Sequence, residues 1–295
     1  MKEGTKSKHL MGFDFESWIF SEQMNKESLS LVQLRRLEGG YSKKVIQQIL
    51  KDLRKKKQKI TFFIVFKLEE LYPGLIETIL KDGHEIGWHG HTHLFIKDEK
   101  ALVRELELSK RLLKKYKVIG YQAPGIIFYK KGYRILKKYG FEYSSSIYGN
   151  SNMVYKKDGI LEIPVSTSKM NYRPALSEIK YPSHMSIKNI IKFGIPFGSS
   201  YFWSILGKKY YENKFRKADN LGLRINTFIH NWQLIAPTSK HPVYKPDEKK
   251  SILTNPLFFP YTRNVKELYD FLTGNFEFQR FRDFLYEKKY ISHSR

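Results

Sequence analysis

The 295-residue chain contains no cysteine. That absence excludes disulfides and thiolate metal sites, so any metal must be held by histidine and carboxylate. It leaves the redox compartment open. Acidic residues are also scarce, with 29 Asp and Glu against 53 Lys and Arg, a net charge of +24. An excess of that size favours anionic partners: acidic glycans, nucleotide-linked or lipid-linked sugars, an acidic membrane face or nucleic acid. The basic residues are nevertheless spread over many helix faces, as at Arg54 to Lys57 and Lys114 to Lys117, which is also how a lysine-rich solvated surface reads. No apolar run approaches the roughly 18 residues of a membrane span, and none of signal-peptide length precedes the first acids. The expectation is a cytoplasmic protein with no transmembrane segment and no specific nucleic-acid partner, its membrane contact at most peripheral. Internal repeats and low-complexity tracts are lacking too, and one domain over 1–295, with a core of about 10–290, is the simplest account.

What the chain does have is a crowd of imidazoles. Of its nine histidines, His84, His89, His91 and His93 fall within ten residues. His89 and His93, four apart, can converge on one divalent ion if the backbone between them turns. By themselves they read equally as a polar loop. A second signal stands near the start, where MGFDFESW at 11–18 reads as a buried strand ending on acids. Alternation along a strand puts Asp14 and Glu16 on one side, roughly 6 to 7 Å apart. Two like charges held so close repel, and a cation beside them removes the cost. Two imidazoles and one carboxylate make a site with an open coordination position, leaving the second acid as a base.

Helical and extended patterns alternate along the chain. Val45, Ile46, Ile49, Leu50 and Leu53 recur at helical spacing after Ser42, read as an N-cap, and ITFFIVF at 60–66 reads as a buried strand. Helices are expected between Pro73 and Gly83, over 98–116 and over 132–139, and strands at EIGW, VIGYQ and FEYSS. Short strands separated by longer helices imply right-handed crossovers, hence an α/β fold around a parallel sheet. From Ser166 to Gly222 the rhythm fails, and that stretch reads as long excursions over the catalytic face. It resumes with a strand at 223–230 ending on His230, a helix around 265–272 and the closing segment FEFQRFRDFL. The candidate residues thus sit at the carboxyl ends of strands, where α/β folds place their chemistry.

The order D-x-E, GHEIGWHGHTH, GYQAPG, LEIP and HNW resembles the polysaccharide deacetylase (NodB homology) family, over about 10–290. The resemblance implies a distorted, seven-stranded, TIM-like β/α barrel. It also implies a metal-dependent hydrolase that removes acetyl from an N-acetylated, or secondarily O-acetylated, sugar in bacterial surface-polysaccharide biosynthesis. Asp14 would be the general base, His230 the general acid, and Glu16, His89 and His93 the ligands of Zn²⁺, or else Co²⁺ or Ni²⁺. Pro124 and Gly125 would line the site, the Gly125 N–H stabilising the oxyanion, and Glu162, Ile163 and Pro164 would border the groove. The partner implied is an acetylated saccharide, with an anionic or lipid-linked glycan in view. Two rivals stand beside it: an allantoinase-like hydrolase of non-sugar amides, and a catalytically silent glycan-binding relative.

The chain departs from the family twice, with Gln122 where Arg is common and Ser144 where Asp is. Losing both charges leaves the local sum unchanged, so a neutral replacement pair is conceivable. His84 precedes its strand and His91 points away if its neighbours point in, so neither is expected on the metal. Tyr201, Phe202, Trp203 and above all Trp232 are the aromatics that could stack on a sugar ring, although such clusters more often belong to a core.

Overall fold

The computed structural model describes residues 7–20, 29–129, 131–169, 187–235 and 264–293. In chain order these form β1 (Lys8–Phe15), α1 (Leu31–Glu38), α2 (Tyr41–Lys55), β2 (Thr61–Ile64), α3 (Lys67–Leu71), α4 (Leu75–Lys81), β3 (Glu85–Trp88), α5 (Glu99–Tyr116), β4 (Gly120–Tyr121), α6 (Gly132–Lys138) and β5 (Tyr143–Ser144). The second part holds β6 (Tyr148–Gly149), β7 (Tyr155–Lys157), β8 (Ile160–Glu162), β9 (Val165–Ser166), α7 (Ile187–Phe193), α8 (Trp203–Asn220), β10 (Asn226–His230), α9 (Asn231–Leu234), α10 (Val265–Asn275), β11 (Glu277–Gln279) and α11 (Phe281–His293). None of the described helices is long and apolar enough to cross a membrane.

The main sheet runs β10-β1-β2-β3-β4-β5-β8-β7, with β11 added beside the start of β1. From β10 to β8 every neighbour is parallel, which gives the expected seven parallel strands, and β7 is an antiparallel edge. The sheet curls into a distorted barrel whose ends meet without a continuous ladder. Gly198 bridges them, its N–H donating to Ser166 O while its carbonyl accepts from Phe228 N, both at 2.9 Å. The Asn226 amide donates to the carbonyls of Ile163 and Pro164 at 3.1 and 3.0 Å.

Strand alternation sorts the apolar residues into two cores. Outward, Met11, Phe13, Phe15, Phe62, Ile64 and Trp88 pack on the helices in the large cluster. Inward, Leu10, Phe63, Tyr143 and Ile163 meet Phe281, Phe284 and Leu285 of α11, which plugs the end from which the strands start. Glycines make room for the inward rings. A Cβ on Gly12 would lie 2.9 Å from Phe63, and one on Gly87 or Gly120 would collide with Phe63 or Tyr143. The plug is fastened by Glu85, which is fully buried. It accepts from Thr61 Oγ1 at 2.6 Å, Arg282 N at 2.9 Å and Tyr143 OH at 3.0 Å.

Two expectations fail locally. Ser42 is not an N-cap: α2 starts two residues earlier from Gly40, whose φ of 76° a glycine tolerates, and the Ser42 hydroxyl donates to Glu38 at 2.6 Å. The stretch Ser166 to Gly222 is more than excursion, since α8 fills 18 residues of it and buries Trp203, Tyr211, Phe215 and Ala218. Its residues 170–186 lie outside the described ones. Trp203 is fully buried, and Tyr201 and Phe202 are buried beside it, so this aromatic group belongs to the core and is no sugar platform.

Candidate metal centre

The inward face of β1 carries Leu10, Gly12 and Asp14, and Glu16 follows just past the strand end. Parallel pairing sets Asp14 directly against His230, the last residue of β10. The register of β2 with β3 pairs Ile64 with Trp88, so His89 emerges one step later on the same rim. Three chain segments distant in sequence therefore meet at one end of the barrel. One ligand atom each from Glu16, His89 and His93 lies within 4.8 Å of the others, the arrangement a single ion would close. His93 Nε2 is 2.5 Å from Glu16 Oε2. His230 Nε2 stands 3.8 Å from Asp14 Oδ2 and 3.9 Å from Glu16 Oε1, and His89 Nε2 stands 3.9 Å from Asp14 Oδ2.

Hydrogen bonds fix which nitrogens face inward. His89 Nδ1 donates to the backbone carbonyl of Gln122 at 2.8 Å, so its Nε2 lone pair points into the cluster. His230 Nδ1 donates to Gln233 Oε1 at 3.0 Å, which frees Nε2 in the same way. The residues fit a divalent cation by their chemistry: two imidazoles with inward lone pairs, one carboxylate, and a buried Asp14 Oδ1 with no hydrogen-bond partner among the described residues.

The side chains of the cluster oppose one another electrostatically, a strain that a cation would relieve. Burial, then the charge of Glu16, raises Asp14 well above the carboxylate range. Burial also pushes Glu16 upward, yet His93, through its charge and its hydrogen bond, together with His230 and His89, outweighs it and holds Glu16 below its ordinary value. His89 is lowered to about 3 by burial and then by His93, and His230 is lowered chiefly by burial. Both imidazoles are therefore neutral at pH 7, as ligation or proton acceptance requires.

Glu105, Asn231 and Phe95, which carried no sequence signal, support the site, and Trp232 does so through a contact the sequence did not suggest. The loop His89 to His93 turns back on itself at Gly90, φ 83°, and His93 sits in the left-handed region at φ 64°, a conformation costing roughly 1 to 3 kcal/mol for a non-glycine residue. Glu105 of α5 holds the loop there, accepting from His91 N at 2.7 Å, Thr92 N at 2.8 Å and Thr92 Oγ1 at 2.7 Å. Asn231 Oδ1 accepts from Glu16 N at 3.1 Å. Trp232 donates its indole N–H to Glu16 Oε1 at 2.7 Å and lies against His230, the ring centroids 4.9 Å apart. Phe95, half-buried, packs beside His93 at 6.2 Å and within reach of Gly125.

Other candidates fall elsewhere. His91 turns away, toward Ser109 and Glu70 at 3.3 Å each, and buried His84 accepts from Ile60 N. Pro124 is buried in a 3-10 turn, and Gly125 is exposed beside it at φ 61°. Gln122 lies against Gly12, and neither amide atom has a partner among the described residues. Ser144 instead donates to Ser146 Oγ at 2.9 Å, so the structure does not join Gln122 and Ser144 as a replacement pair. Glu162 accepts from Tyr133 OH of α6 and from Ser146 N, on the outer face of the sheet. Burial, opposed by hydrogen bonds from Ser144, Ser146 N and Tyr133, pushes it up to about 7.

No curated protein matches. The structure of PuuE allantoinase aligns at 13% identity over 96% of this chain and 90% of that one, with a TM-score of 0.53. A 4-α-glucanotransferase from Thermococcus litoralis aligns at 12% identity over 95% of this chain and 40% of that one, with a TM-score of 0.50. A CE4 family pseudoenzyme from Bacillus anthracis aligns at 10% identity over 95% of this chain and 66% of that one, with a TM-score of 0.43. At these identities the first two speak for the fold alone, and the third carries no further weight. The polysaccharide deacetylase family matches residues 38–144, the stretch that supplies His89, His93 and Gln122. Over residues 38–144 the sequence is similar to that family, which bears out the central part of the resemblance drawn from the motifs; Asp14, Glu16, Glu162 and His230 lie outside the matched stretch.

Proposed function

We propose that this chain is a metal-dependent hydrolase that removes the acetyl group from an N-acetylated sugar of a bacterial surface polysaccharide or its precursor, with O-acetyl esters second. One observation carries the reading: Glu16, His89 and His93 converge on a common point at the barrel mouth, and Asp14 and His230 stand beside them. Those three residues would hold the ion, Zn²⁺ first and Co²⁺ or Ni²⁺ as alternatives. Bound there, it would polarise the acetyl carbonyl and lower the pKa of a water molecule.

The remaining chemistry belongs to the side chains. An amide resists attack because resonance lowers its electrophilicity, so the nucleophile must be stripped of a proton as it arrives. Asp14 takes that proton, and the Gly125 N–H donates to the oxyanion. His230, once protonated, gives its proton to the departing nitrogen, so the C–N bond breaks to acetate and a free amine. Transfers of this kind contribute about 10² to 10⁴-fold each. The Nδ1–H bond from His230 to Gln233 keeps the reactive Nε2 aimed at the site. Trp232 and Phe95 flank the mouth and would contact the sugar ring.

The test is acetate release from N-acetylhexosamine oligomers by chelator-stripped protein with and without added Zn²⁺, Co²⁺ or Ni²⁺. Metal-dependent acetate is the expected result. Ring-opening of allantoin without acetate release would replace the reading by a non-sugar amidohydrolase. Failure to retain any metal at stoichiometric level, together with glycan binding, would replace it by a silent binding protein.

A further inference from the structure

The basic residues that look scattered in the sequence gather at one end of the fold. Helices in this barrel run opposite to the strands, so their last turns and the loops after them lie at the end from which the strands start. Those last turns are basic in α2, α4, α5, α6 and α8. Lys57 leads into β2, Lys81 toward β3, Lys114 and Lys117 toward β4, Lys138 toward β5 and Lys157 toward β8. All six are exposed, and none is in an ion pair among the described residues. Arginines of the same end are spoken for, Arg54 by Asp82, Arg280 by Asp283 and Arg224 by Glu287, at 3.0, 2.8 and 3.1 Å. Between α5 and α6 the lysines border an open groove of about 620 Å³ that includes Lys110, Lys114, Lys117 and Lys138.

We infer that this end of the barrel docks on an anionic phospholipid bilayer and holds the candidate metal centre on the far side, facing water. The charges follow the strand starts from β2 round to β8, and Lys217 of α8 adds one before β10, so they share one level, which matches a plane. A duplex would call for a stripe or a groove-filling element, and phosphate readout for unpaired arginine forks. Lysine, a hydrated point charge on a flexible stem, suits the diffuse potential of an anionic leaflet. A second copy of the chain is disfavoured at this face by like charge, and the glycan reaction belongs to the opposite end.

The experiment is co-sedimentation of the full chain with vesicles of phosphatidylcholine alone and of phosphatidylcholine mixed with phosphatidylglycerol. Two quadruple variants are compared. One reverses the end, as Lys114→Glu, Lys117→Glu, Lys137→Glu and Lys138→Glu. The other makes an equal change in net charge elsewhere, as Lys43→Glu, Lys44→Glu, Lys97→Glu and Lys100→Glu. Each lysine near an anionic surface contributes roughly fivefold to partitioning, so the first set should lose at least a hundredfold on mixed vesicles and the second far less. If the first set misfolds by circular dichroism, the same four positions as Gln give the reading. Equal losses in both sets, equal binding to neutral vesicles, or no vesicle binding alongside tight duplex DNA binding would each overturn the inference. Acetate release plays no part in this test, so the two readings fail independently.

Discussion

At the scale of single residues, the proposed site would divide its work between groups that meet the ion and groups that aim them. Asp14→Asn should abolish acetate release, by about 10²-fold or more, while metal analysis still finds one ion per chain. His93→Ala should strip the ion itself, and retention of metal by that variant would mean the ligands are misassigned. Trp232 is the more discriminating case, because it touches Glu16 through one hydrogen bond at 2.7 Å. Trp232→Phe keeps the ring and loses the donor, so metal affinity should weaken about 10 to 100-fold with the melting temperature little changed. A titration with Zn²⁺ under competing chelator reads this directly. Strand alternation put Asp14 and Glu16 on one side and the H-x-x-x-H spacing picked out His89 and His93, while His230 and the roles proposed for all five came from the family resemblance; the structure brings Glu16, His89 and His93 together. Glu105 was not legible in the sequence, since it lies on the apolar face of α5 and its role depends on a loop that approaches it only in three dimensions.

At the scale of elements, legibility followed the density of apolar spacing. Helix α5, begun by Asp98, whose side chain accepts from Ala101 N at 2.8 Å, was plain from Leu102, Leu106, Leu112 and Leu113. Helix α1 was missed because it offers the core only Leu34 among its apolar residues. Helix α8 was missed because lysines and a break at Gly207, φ 73°, mask the spacing of Tyr211, Phe215 and Ala218. The plug α11 raises a prediction of its own. Glu85 collects donors from three elements in a site without exposure, and Glu85→Ala leaves Thr61, Tyr143 and the Arg282 N–H without their acceptor. Removing one partner of such a buried network costs about 3 to 5 kcal/mol. Urea unfolding should show that loss, and a change below about 1 kcal/mol would mean α11 is held by its apolar face alone.

At the scale of the whole molecule, buried histidines outside the site tie stability to pH. Burial, with a smaller contribution from Arg224, lowers His9 from 6.5 to about 3, and burial, then Lys59, lowers His84 to about 4. Between those values and 6.5 the unfolded chain binds protons that the native chain refuses, so stability present above pH 6.5 is lost as the pH falls below it. Glu162 acts in the opposite sense, its native carboxyl taking up a proton up to about 7, so the raw pH profile mixes both. Comparing His9→Gln with the parent isolates the first effect. The variant should lose about 2 kcal/mol less stability than the parent between about pH 7.5 and 5. Denaturant midpoints at the two values measure it, and parallel slopes would refute it. The collection of charge at one barrel end was hidden in the sequence for a whole-molecule reason: it depends on strand direction, which only the fold sets.

The interior rings beneath Gly12, Gly87 and Gly120, backed by α11, leave the barrel with a solid floor. A tunnel is thereby excluded: whatever enters must leave by the same doorway, and a linear polymer cannot be threaded through. On the proposed function, a polymeric substrate would have to lie crosswise over the rim and dip one pendant group at a time, which would tie successive turnovers to lateral sliding or to full release.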